Sequence, residues 1–288
     1  MKEVAYLGPP GTFSHEAAIA WMRRLQPGRQ IGLENLLACP GLPEVLAAVG
    51  DNQARMAVLP VENSVEGAVN LTMDLVLEED KLQVIGEIVL PVRHCLMGQV
   101  KEIGEIREIL SHPQALAQCR RYLITHLPRV KLKGVTSTAE AAREASIRPG
   151  VAAIGPAFAA GLYQLPLLAR NIQDYEDNKT RFWVLGREAP PLPGPYKTSL
   201  VVAALANRPG SLYAILKDFA AAGINLTRIE SRPTKKELGE YLFFIDCEGH
   251  REVSPLKEVL AGLKKQTALL HTLGSYSQDR GEALCNPV

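Results

Sequence analysis

Residues 3–25 read EVAYLGPPGTFSHEAAIAWMRRL, and this stretch contains the unit from which the fold is predicted. An aliphatic run is followed by a turn rich in glycine and proline, and then by a segment whose apolar residues recur at helical spacing. This order predicts a β-strand, a tight turn and an amphipathic α-helix. A single unit of this kind decides little, so its recurrence along the chain is what matters.

The same unit recurs through the first two thirds of the chain. Each time a short strand pattern ends in polar turn residues, and a helical pattern follows. Alternation of strands and helices predicts an α/β fold with a parallel, helix-covered sheet. The further units are MAVLP with VENSVEGAVNLTMDLVLEE, REIL with SHPQALAQCRRYLITHL, KGV with TSTAEAAREAS, and VAAI with GPAFAAGLY.

Two segments interrupt this alternation. Residues 82–97, LQVIGEIVLPVRHCLM, favour extended strand with a break at Pro91 and are a candidate connection between two lobes. Residues 188–197, EAPPLPGPYK, contain four prolines and a glycine, which disfavour both a helix and a central strand. We therefore predict a first domain at residues 1–187 and a linker at residues 188–197.

The chain beyond the linker has a different order of elements. SLVVAAL, INLTRIES, EYLFFIDCE and ALLHTLGSY favour strands, whereas SLYAILKDFAAAG and SPLKEVLAGLKK favour helices. The resulting order, βαββαβ, predicts a ferredoxin-like domain at residues 198–277. Residues 278–288 show no periodicity and are predicted to form a loose tail.

Composition and charge exclude several classes of protein. Of 288 residues, 47% are hydrophobic and 22% are charged, which is typical of a globular protein. A net charge of +1 without a long block of one sign argues against a nucleic-acid binder. Residues 151–169 are uncharged over nearly the ~20 residues that a bilayer core requires, but Pro156 and Pro166 break them into shorter elements. Neither a nucleic-acid nor a membrane partner is expected.

The cysteines and the first residues favour a reducing compartment. The cysteines are odd in number and show neither a CxxC nor a metal-ligand spacing, so we interpret them as free thiols. The opening MKEVAYLGPPG has an acid at Glu3 and turn residues from Gly8, which leaves no room for a signal-peptide apolar region. We therefore expect a cytoplasmic protein. The cysteines are Cys39, Cys95, Cys119, Cys247 and Cys285.

Neither a metal site nor a phosphate loop is favoured by the motifs. The six histidines form no HExxH or comparable spacing. GPPGTFS differs from GxxxxGK[ST] and GxGxxG, and its prolines remove backbone donors. What remains are polar residues where predicted strands end and helices begin, which is the edge where open α/β sheets hold ligands. Helix N-termini at that edge can bind carboxylates, so the pattern favours a cleft for a small dicarboxylate.

Two of these strand ends carry the first candidates for the cleft. After the first strand, Thr12 or Ser14 either caps the following helix or contacts the ligand. After the second, Glu62, Asn63 and Ser64 supply a carboxylate, an amide and a hydroxyl, which is more than one cap requires. The second junction therefore favours a functional role.

Two later junctions are weaker candidates. Ser111 is predicted to cap a helix whose first residues include Pro113. Gln114 and Gln118 lie one helical turn apart, so both face either the cleft or solvent. Residues 137–138, Ser-Thr before AEAA, are interpreted mainly as a helix cap.

DNKTRFWVL, residues 177–185, is predicted to be the last strand before the linker. Strand alternation sends Thr180 and Phe182 to one face and Arg181 and Trp183 to the other. Thr180 and Arg181 can therefore both line a cleft only if the start of the strand is irregular. From the pattern alone, a β-forming threonine and a surface arginine are the simpler interpretation.

Together these segments resemble the prephenate dehydratase family over nearly the whole chain. The resemblance rests on GPPGTFSHEAA at 8–18, LPVENSVEGAV at 59–69, SHPQALAQC at 111–119 and DNKTRFWVL at 177–185, followed by an ACT-type regulatory domain. It implies a two-lobed fold like that of type II periplasmic binding proteins, with the substrate between the lobes. The implied reaction is loss of water and CO2 from prephenate to give phenylpyruvate, without a cofactor because aromatisation supplies the driving force.

The resemblance also implies roles for individual residues. It implies that Thr180 is catalytic, and because a free threonine is a weak acid we expect an oriented hydrogen-bond donor or a relay. Arg181 and Phe182 would support a carboxylate and the ring. Glu62 near a dianion would need protonation or a hydrogen-bonded partner. The implied substrate-binding set is Thr12, Phe13, Glu62, Asn63, Ser64, Ser111, Gln118, Arg181 and Phe182.

Two motifs in the C-terminal domain resemble those with which family members bind phenylalanine between ACT domains. They are NRPGSL at 207–212 and ESRP at 230–233. The family usually has Ala-Leu-Val after the first glycine, whereas this chain has Ser211-Leu212-Tyr213. The resemblance implies feedback inhibition by L-phenylalanine and a homodimer or homotetramer. The implied effector residues are Asn207, Pro209, Gly210, Ser211, Leu212, Asn225, Leu226, Glu230 and Ser231.

Two other functions remain open from the sequence. Arogenate could replace prephenate, since the two differ only by an amine in place of a ketone. A two-lobed chain can also serve as a non-catalytic binding or sensor protein. The threonine of TRF favours an enzyme, because a pure binder has no need of it.

Overall fold

The structure is a computed structural model of the chain, and it describes residues 1–206, 208–235, 239–279 and 281. The chain forms two compact units. The first contains Met1–Met73 and Ile88–Phe182. The second contains Asp74–Glu87 and the described chain from Trp183 to residue 279.

The first sheet begins with the predicted strand at the N-terminus. Val4 and Ala5 are fully buried, as expected of a strand covered on both faces. The strand order is β2-β1-β3-β11-β5, β1 is parallel to β2 and β3, and β4 pairs antiparallel with β3. The strands are β1 (Lys2–Leu7), β2 (Leu36–Cys39), β3 (Ala54–Asn63), β4 (Gly67–Ala68), β5 (Gln83–Pro91) and β11 (Lys179–Gly186).

The helices that accompany this sheet follow its first strands. Thr12 caps the first helix through its side-chain oxygen, and Ala17, Ala18 and Trp21 form the face that the helix buries. A second helix, with a proline in its first turn, and β2 were not predicted from the sequence. The helices are α1 (Phe13–Leu25), α2 (Leu42–Gly50) and α3 (Asn70–Leu77).

A second sheet contains the later predicted units. Its order is β10-β6-β9-β7-β8, in which β7 is parallel to β8 and β9, while β6 is antiparallel to β9 and β10. The predicted α/β class is confirmed, but the expectation of a parallel sheet was wrong in one respect, because the units divide between two sheets that each contain antiparallel pairs. The elements are β6 (Cys95–Gly98), β7 (Glu108–Ser111), α4 (Pro113–Gln118), α5 (Arg120–His126), β8 (Lys131–Gly134), α6 (Thr138–Ile147), β9 (Val151–Gly155), α7 (Ala157–Leu162) and β10 (Leu167–Ala169).

Two stretches of chain run between these sheets. Residues 92–94 lead from β5 to β6, as the sequence predicted for the run 82–97, and residues 170–178 lead from β10 to β11. Val92 N–H donates to the carbonyl of Asn178 at 2.7 Å, and Ile172 N–H donates to that of His94 at 2.9 Å. His94 N–H also donates to Oε1 of Gln173 at 2.9 Å. These bonds hold the two connections side by side.

The second unit contains the predicted βαββαβ order. Its antiparallel sheet has the order β13-β14-β12-β15, which is the ferredoxin-like arrangement. Leu200, Ile245 and Phe219 belong to the core between this sheet and its helices. The elements are β12 (Tyr196–Ala204), α8 (Ser211–Ala221), β13 (Leu226–Pro233), β14 (Tyr241–Glu248), α9 (Leu256–Gln266) and β15 (Thr267–Ser277).

The uncharged run at residues 151–169 forms β9, α7 and β10, so its prolines divide it as predicted. Pro156 is the N-cap of α7, and Pro166 precedes β10 directly. Within the part of the chain that the structure describes, no helix combines the length and the apolar character needed to cross a membrane.

Candidate active site

Strand ends and helix starts of the first unit border a cavity of about 780 Å³. This volume lies within the range of small-molecule sites. The wall is formed by the loop after β1, the end of β3, the connection at residues 92–94, the first turns of α4 and α6, and the start of β11. The polar residues that line it include Thr12, Asn63, His94, His112, Gln118 and Thr180.

The electrostatic character of the cavity comes from dipoles rather than full charges. Among the described residues that line it, none is Asp, Glu, Lys or Arg. The N-terminal ends of α1 and α6 border it, capped by Thr12 and Ser137. Helix N-termini carry partial positive charge and free N–H groups. The cavity therefore favours an anion over a cation.

Thr180 presents an oriented hydroxyl to this cavity. Oδ1 of Asn63 accepts hydrogen bonds from the backbone N–H groups of Val65 and Glu66, both at 3.0 Å, which fixes the orientation of the amide. Nδ2 of Asn63 therefore donates to Oγ1 of Thr180 at 2.9 Å. Since the threonine oxygen accepts this bond, its own hydrogen is left to be donated to another group.

A second set of hydrogen bonds crosses the floor of the cavity. Lys179 N–H donates to Oγ of Ser64 at 2.9 Å, and Ser64 donates to Oδ1 of Asn178 at 3.2 Å. Nδ2 of Asn178 donates to Oε1 of Gln118 at 3.2 Å, and Nε2 of His94 lies 3.1 Å from the same oxygen. Ser64, which directly follows β3, thus shares a network with both connections between the sheets.

Two family models match the chain. The model of the family named Prephenate dehydratase matches residues 4–190. The chain belongs to the prephenate dehydratase family. The model of the ACT domain matches residues 198–264, so the ferredoxin-like domain of this family member is an ACT domain.

Relatives and solved structures agree with this family membership. Prephenate dehydratase of Methanocaldococcus jannaschii is 40% identical over 279 residues, covering 96% of this chain and 98% of that protein. The crystal structure of prephenate dehydratase from Arthrobacter aurescens in complex with L-Phe is 35% identical with a TM-score of 0.84, covering 97% of this chain and 91% of that one. A solved chain described as GqqA, a novel type of quorum quenching acylase, is 34% identical with a TM-score of 0.83, covering 97% and 99%.

The predicted substrate-binding residues of this family member divide into two groups. One group lines the cavity together with Thr180, and the other does not. The lining group is Thr12, Phe13, Asn63, Gln118 and Phe182, and the remaining residues are Glu62, Ser64, Ser111 and Arg181.

Arg181 and Glu62 bind each other instead of lining the cavity. Nη2 of Arg181 donates to Oε2 of Glu62 at 3.0 Å, and the arginine side chain is 8% exposed. Strand β11 runs without interruption from Lys179 to Gly186, so alternation places Thr180 and Arg181 on opposite faces. The irregular backbone that a shared cleft would require is absent from this strand. The partner that Glu62 was expected to need is Arg181.

Ser111 and Ser64 have structural contacts. Oγ of Ser111 is fully buried and donates to the carbonyl of Ile154 at 2.6 Å, which ties β7 to β9. The residue that caps α4 is His112, whose Nδ1 accepts from Gln114 N–H at 3.3 Å, so the predicted cap at Ser111 was wrong by one position. Ser64 joins Asn178 to the backbone of Lys179.

His15 holds the loop after β1 in place through a hydrogen bond. Nδ1 of His15 accepts a hydrogen bond from Gly11 N–H at 3.1 Å. Burial lowers the pKa of His15 to about 4, so the ring is neutral near pH 7 and keeps the lone pair that this bond requires. Gly11 has φ +98, and a Cβ there would lie 3.0 Å from the ring of Tyr163. Tyr163 in turn donates to the carbonyl of Pro10 at 2.8 Å.

Sequence reasoning missed several cavity or network residues of this family member, among them His94, His112 and Asn178. His94 lies in the apolar run 82–97, where it and Arg93 stand out as polar residues between Val92 and Cys95. His112 and Asn178 lie inside motifs that carried the resemblance, SHPQ and DNKTRF, but were given no role. Their position within those motifs was the available signal.

The predicted effector residues lie in the second unit. Gly210, with φ +87, precedes α8, which begins at Ser211. Asn225 precedes β13, and Leu226, Glu230 and Ser231 lie in it. Asn207 lies outside the described residues. The other predicted members, Pro209 and Leu212, lie before α8 and in its first turn.

Proposed function

We propose that this chain converts prephenate to phenylpyruvate, water and CO2 in the cavity of the first unit. The bond from the ring to its carboxylate breaks, and the electron pair enters the ring as CO2 leaves. The bond from the ring to the hydroxyl oxygen breaks in turn, and that oxygen takes up a proton to leave as water. The protein must therefore supply a proton donor at the hydroxyl and must hold two carboxylates.

The observation that carries the proposal is the oriented hydroxyl of Thr180. Its oxygen accepts from Nδ2 of Asn63, so its hydrogen is available to the leaving oxygen. As this proton moves, negative charge develops on Oγ1, and the amide N–H of Asn63 stabilises it. Solvent then returns a proton to Thr180. Thr180 thus acts as a proton donor, and the hydrogen bond from Asn63 sets the direction in which it donates.

The carboxylates would be held by the dipoles around the cavity. The N-termini of α1 and α6 border it. Nδ1 of His112 accepts from Gln114 N–H, so the ring hydrogen lies on Nε2, which can donate it to a carboxylate. Because the described lining residues include no carboxylate, the ammonium group of arogenate would have no counter-ion. Prephenate therefore suits the cavity better than arogenate.

The other candidate functions find less support in the cavity. A non-catalytic binder has no use for a threonine hydroxyl held with its hydrogen outward. An acylase of the kind named for one structural relative needs an activated nucleophile, which an adjacent base usually provides. The group beside Thr180 is the amide of Asn63, which cannot accept its proton as a base would.

Formation of phenylpyruvate from prephenate tests the proposal directly. Absorbance of phenylpyruvate would be followed with the wild-type chain, Thr180→Ala and Thr180→Ser. We expect loss of kcat by at least about 1000-fold for alanine, since the proton donor is removed, and partial retention for serine, which keeps a hydroxyl. Calorimetric titration with phenylpyruvate controls for an intact cavity. Equal rates for the three proteins would overturn the role of Thr180, and no wild-type rate would overturn the function.

We also propose that L-phenylalanine inhibits the chain through its ACT domain. The support is the ESRP motif in β13, the glycine before α8, and the L-Phe complex of the Arthrobacter aurescens relative. Initial rates would be measured against increasing L-phenylalanine with L-tyrosine as the control. A flat response to L-phenylalanine would remove this proposal and leave the catalytic one intact.

The assembly and the location of the chain are further proposals. ACT ligand sites in this family commonly form between subunits, so we propose a homodimer or homotetramer in the cytoplasm. Light scattering during size-exclusion chromatography would give the mass of the particle. A mass of 31.4 kDa, that of one chain, would contradict the oligomer.

A further inference from the structure

The directions of the hydrogen bonds beneath the cavity are set at the two ends of the network, by the backbone amide of Lys179 and by the carboxylate of Glu66. Lys179 N–H can only donate, so Oγ of Ser64 accepts from it, and the serine hydroxyl donates its own hydrogen to Oδ1 of Asn178. The other atom of that amide, Nδ2, is then the donor to Oε1 of Gln118. Asn178 thus links Ser64 to Gln118.

The same reasoning assigns the ring of His94. A carboxylate oxygen accepts, so Nε2 of Gln118 is the atom that donates to Oε1 of Glu66 at 3.3 Å, and Oε1 of Gln118 is left as the acceptor. Nε2 of His94 lies 3.1 Å from that oxygen and must therefore carry a hydrogen. In the neutral ring Nδ1 is then a bare lone pair. Burial lowers the pKa of His94, which favours this neutral form.

Nδ1 of His94 has no hydrogen-bond partner among the atoms that the structure describes. The atom is buried, and the residue is 2% exposed and lines the cavity beside Phe13, whose ring lies edge to face at 5.7 Å. Buried polar groups are nearly always satisfied, so a buried lone pair at a cavity wall indicates a partner that arrives with the ligand. That partner must be a hydrogen-bond donor.

The substrate proposed above has one such donor. The prephenate dianion carries two carboxylates and a ketone, which only accept, and a ring hydroxyl, which also donates. We propose that Nδ1 of His94 accepts the hydrogen of this hydroxyl and so turns an oxygen lone pair toward Thr180. The inference rests on the proposed function, because it names the group that leaves. His94 does not take up the proton, and it accepts equally from the water that forms.

Two substitutions of His94 separate this role from a structural one. In His94→Asn the side-chain oxygen can occupy the region of Nδ1, but the contact with Gln118 is lost. In His94→Gln the amide nitrogen can replace Nε2 as donor to Gln118, but no acceptor remains near Nδ1. We expect kcat for prephenate to fall about 10-fold or more in His94→Gln and about 3-fold or less in His94→Asn. KM should change little in both, since the hydroxyl is a small part of the ligand.

The order of the two variants decides the inference. If His94 serves only to hold Gln118, His94→Gln is the more active variant, and this order overturns the inference. Equal rates of the two variants also overturn it. In that case either a water molecule satisfies Nδ1, or both substitutions lower kcat for a reason other than the loss of this acceptor. Binding of phenylpyruvate, which lacks the hydroxyl, should be unchanged in His94→Gln. Absence of wild-type turnover would overturn the proposed function and this inference together, whereas wild-type turnover with any other order overturns this inference alone.

A measurement that leaves His94 in place covers the case in which its variants do not fold. Thr180→Ala labelled with ¹⁵N-histidine should bind prephenate without converting it. We expect the Nδ1 resonance of His94 to shift when prephenate is added, because the lone pair acquires a donor, and to stay in place when phenylpyruvate is added. A spectrum in which both ligands give the same response would overturn the inference.

Discussion

Two buried polar clusters, one in each unit, are built from similar groups but end differently. In the second unit, Nζ of Lys197 binds both carboxylate oxygens of Glu87 at 2.9 and 3.1 Å, and the side chains are 7% and 0% exposed. Close by in the same sheet, Oγ of Ser199 contacts Oδ1 of Asp246 at 2.5 Å and the hydroxyl of Tyr276 at 2.6 Å. These groups are all satisfied by protein atoms.

The cluster in the first unit ends at the cavity instead. One set of bonds ends in the hydroxyl hydrogen of Thr180, and the other ends in the lone pair of His94. Buried polar groups are costly when unpaired, so such ends persist where they serve a ligand. The two clusters contain similar polar groups. What separates the stabilising cluster from the functional one is whether all of these groups are paired within the protein or some are left facing the cavity. Each prediction below tests one side of this difference.

Lys197→Met should produce the largest effect, and on stability alone. Removing the lysine leaves Glu87 as a buried carboxylate without its cation, which should lower the free energy of unfolding by about 3–5 kcal/mol. Urea denaturation would measure the loss. Turnover of prephenate per folded molecule should be unchanged.

The control for this substitution removes both charges. In Lys197→Met with Glu87→Leu, no buried charge is left, so much of the stability should return. If the single and double variants unfold at the same urea concentration, the ion pair is not what makes the cluster stabilising.

Asn63→Asp should have the next largest effect, and on activity alone. An aspartate keeps an oxygen for the N–H groups of Val65 and Glu66, so the turn survives. Its other oxygen faces Thr180 as an acceptor and draws the threonine hydrogen away from the cavity. We expect kcat to fall about 100-fold, comparable to the loss of one donor at an oxyanion site. Rates near those of the wild type would contradict the fixed direction of the hydrogen bond from Asn63 to Thr180. Thermal unfolding would confirm that the fold is retained.

The regular elements were the part that the sequence could predict. Helical and strand periodicity placed β1, α1 and the whole βαββαβ order, because these patterns are local. The same alternation put Thr180 and Arg181 on opposite faces, and the structure agrees. The division of the strands between two sheets was not predictable from the pattern, because the pattern of a strand-helix unit contains no information about which other strand its own strand will pair with.

The functional pairings were less accessible because they join distant parts of the chain. Arg181 and Glu62 are 119 positions apart, and Asn63 and Thr180 are 117 apart. The motifs identified most of these residues, but only their pairing distinguished Asn63, which orients Thr180, from Glu62, which binds an arginine on the other face. His94 carried no motif of its own, and its role emerges only from the polarity of its neighbours.

Ser199→Ala should show a smaller loss of stability. The substitution removes one hydrogen bond from the carboxylate of Asp246 and one contact of the Tyr276 hydroxyl. Both residues have further interactions, so the cost should be limited to about 1–2 kcal/mol. Chemical denaturation beside Ser199→Thr, which keeps the hydroxyl, would measure it. A loss of prephenate turnover at unchanged stability would place this cluster on the functional side.

Ser137→Ala should have the smallest effect. It concerns a residue that has both a structural contact and a place in the cavity wall. Oγ of Ser137 caps α6 by accepting from Glu140 N–H at 3.0 Å, and the residue also lines the cavity. Loss of the cap should cost about 1 kcal/mol of stability. Ser137→Asn and Ser137→Asp should both keep the cap and the stability, since each side chain offers an oxygen. Only the aspartate adds negative charge where two carboxylates are proposed to bind, so it alone should raise KM for prephenate. If the asparagine raises KM as much as the aspartate, the helix N-terminus at Ser137 does not hold the anion.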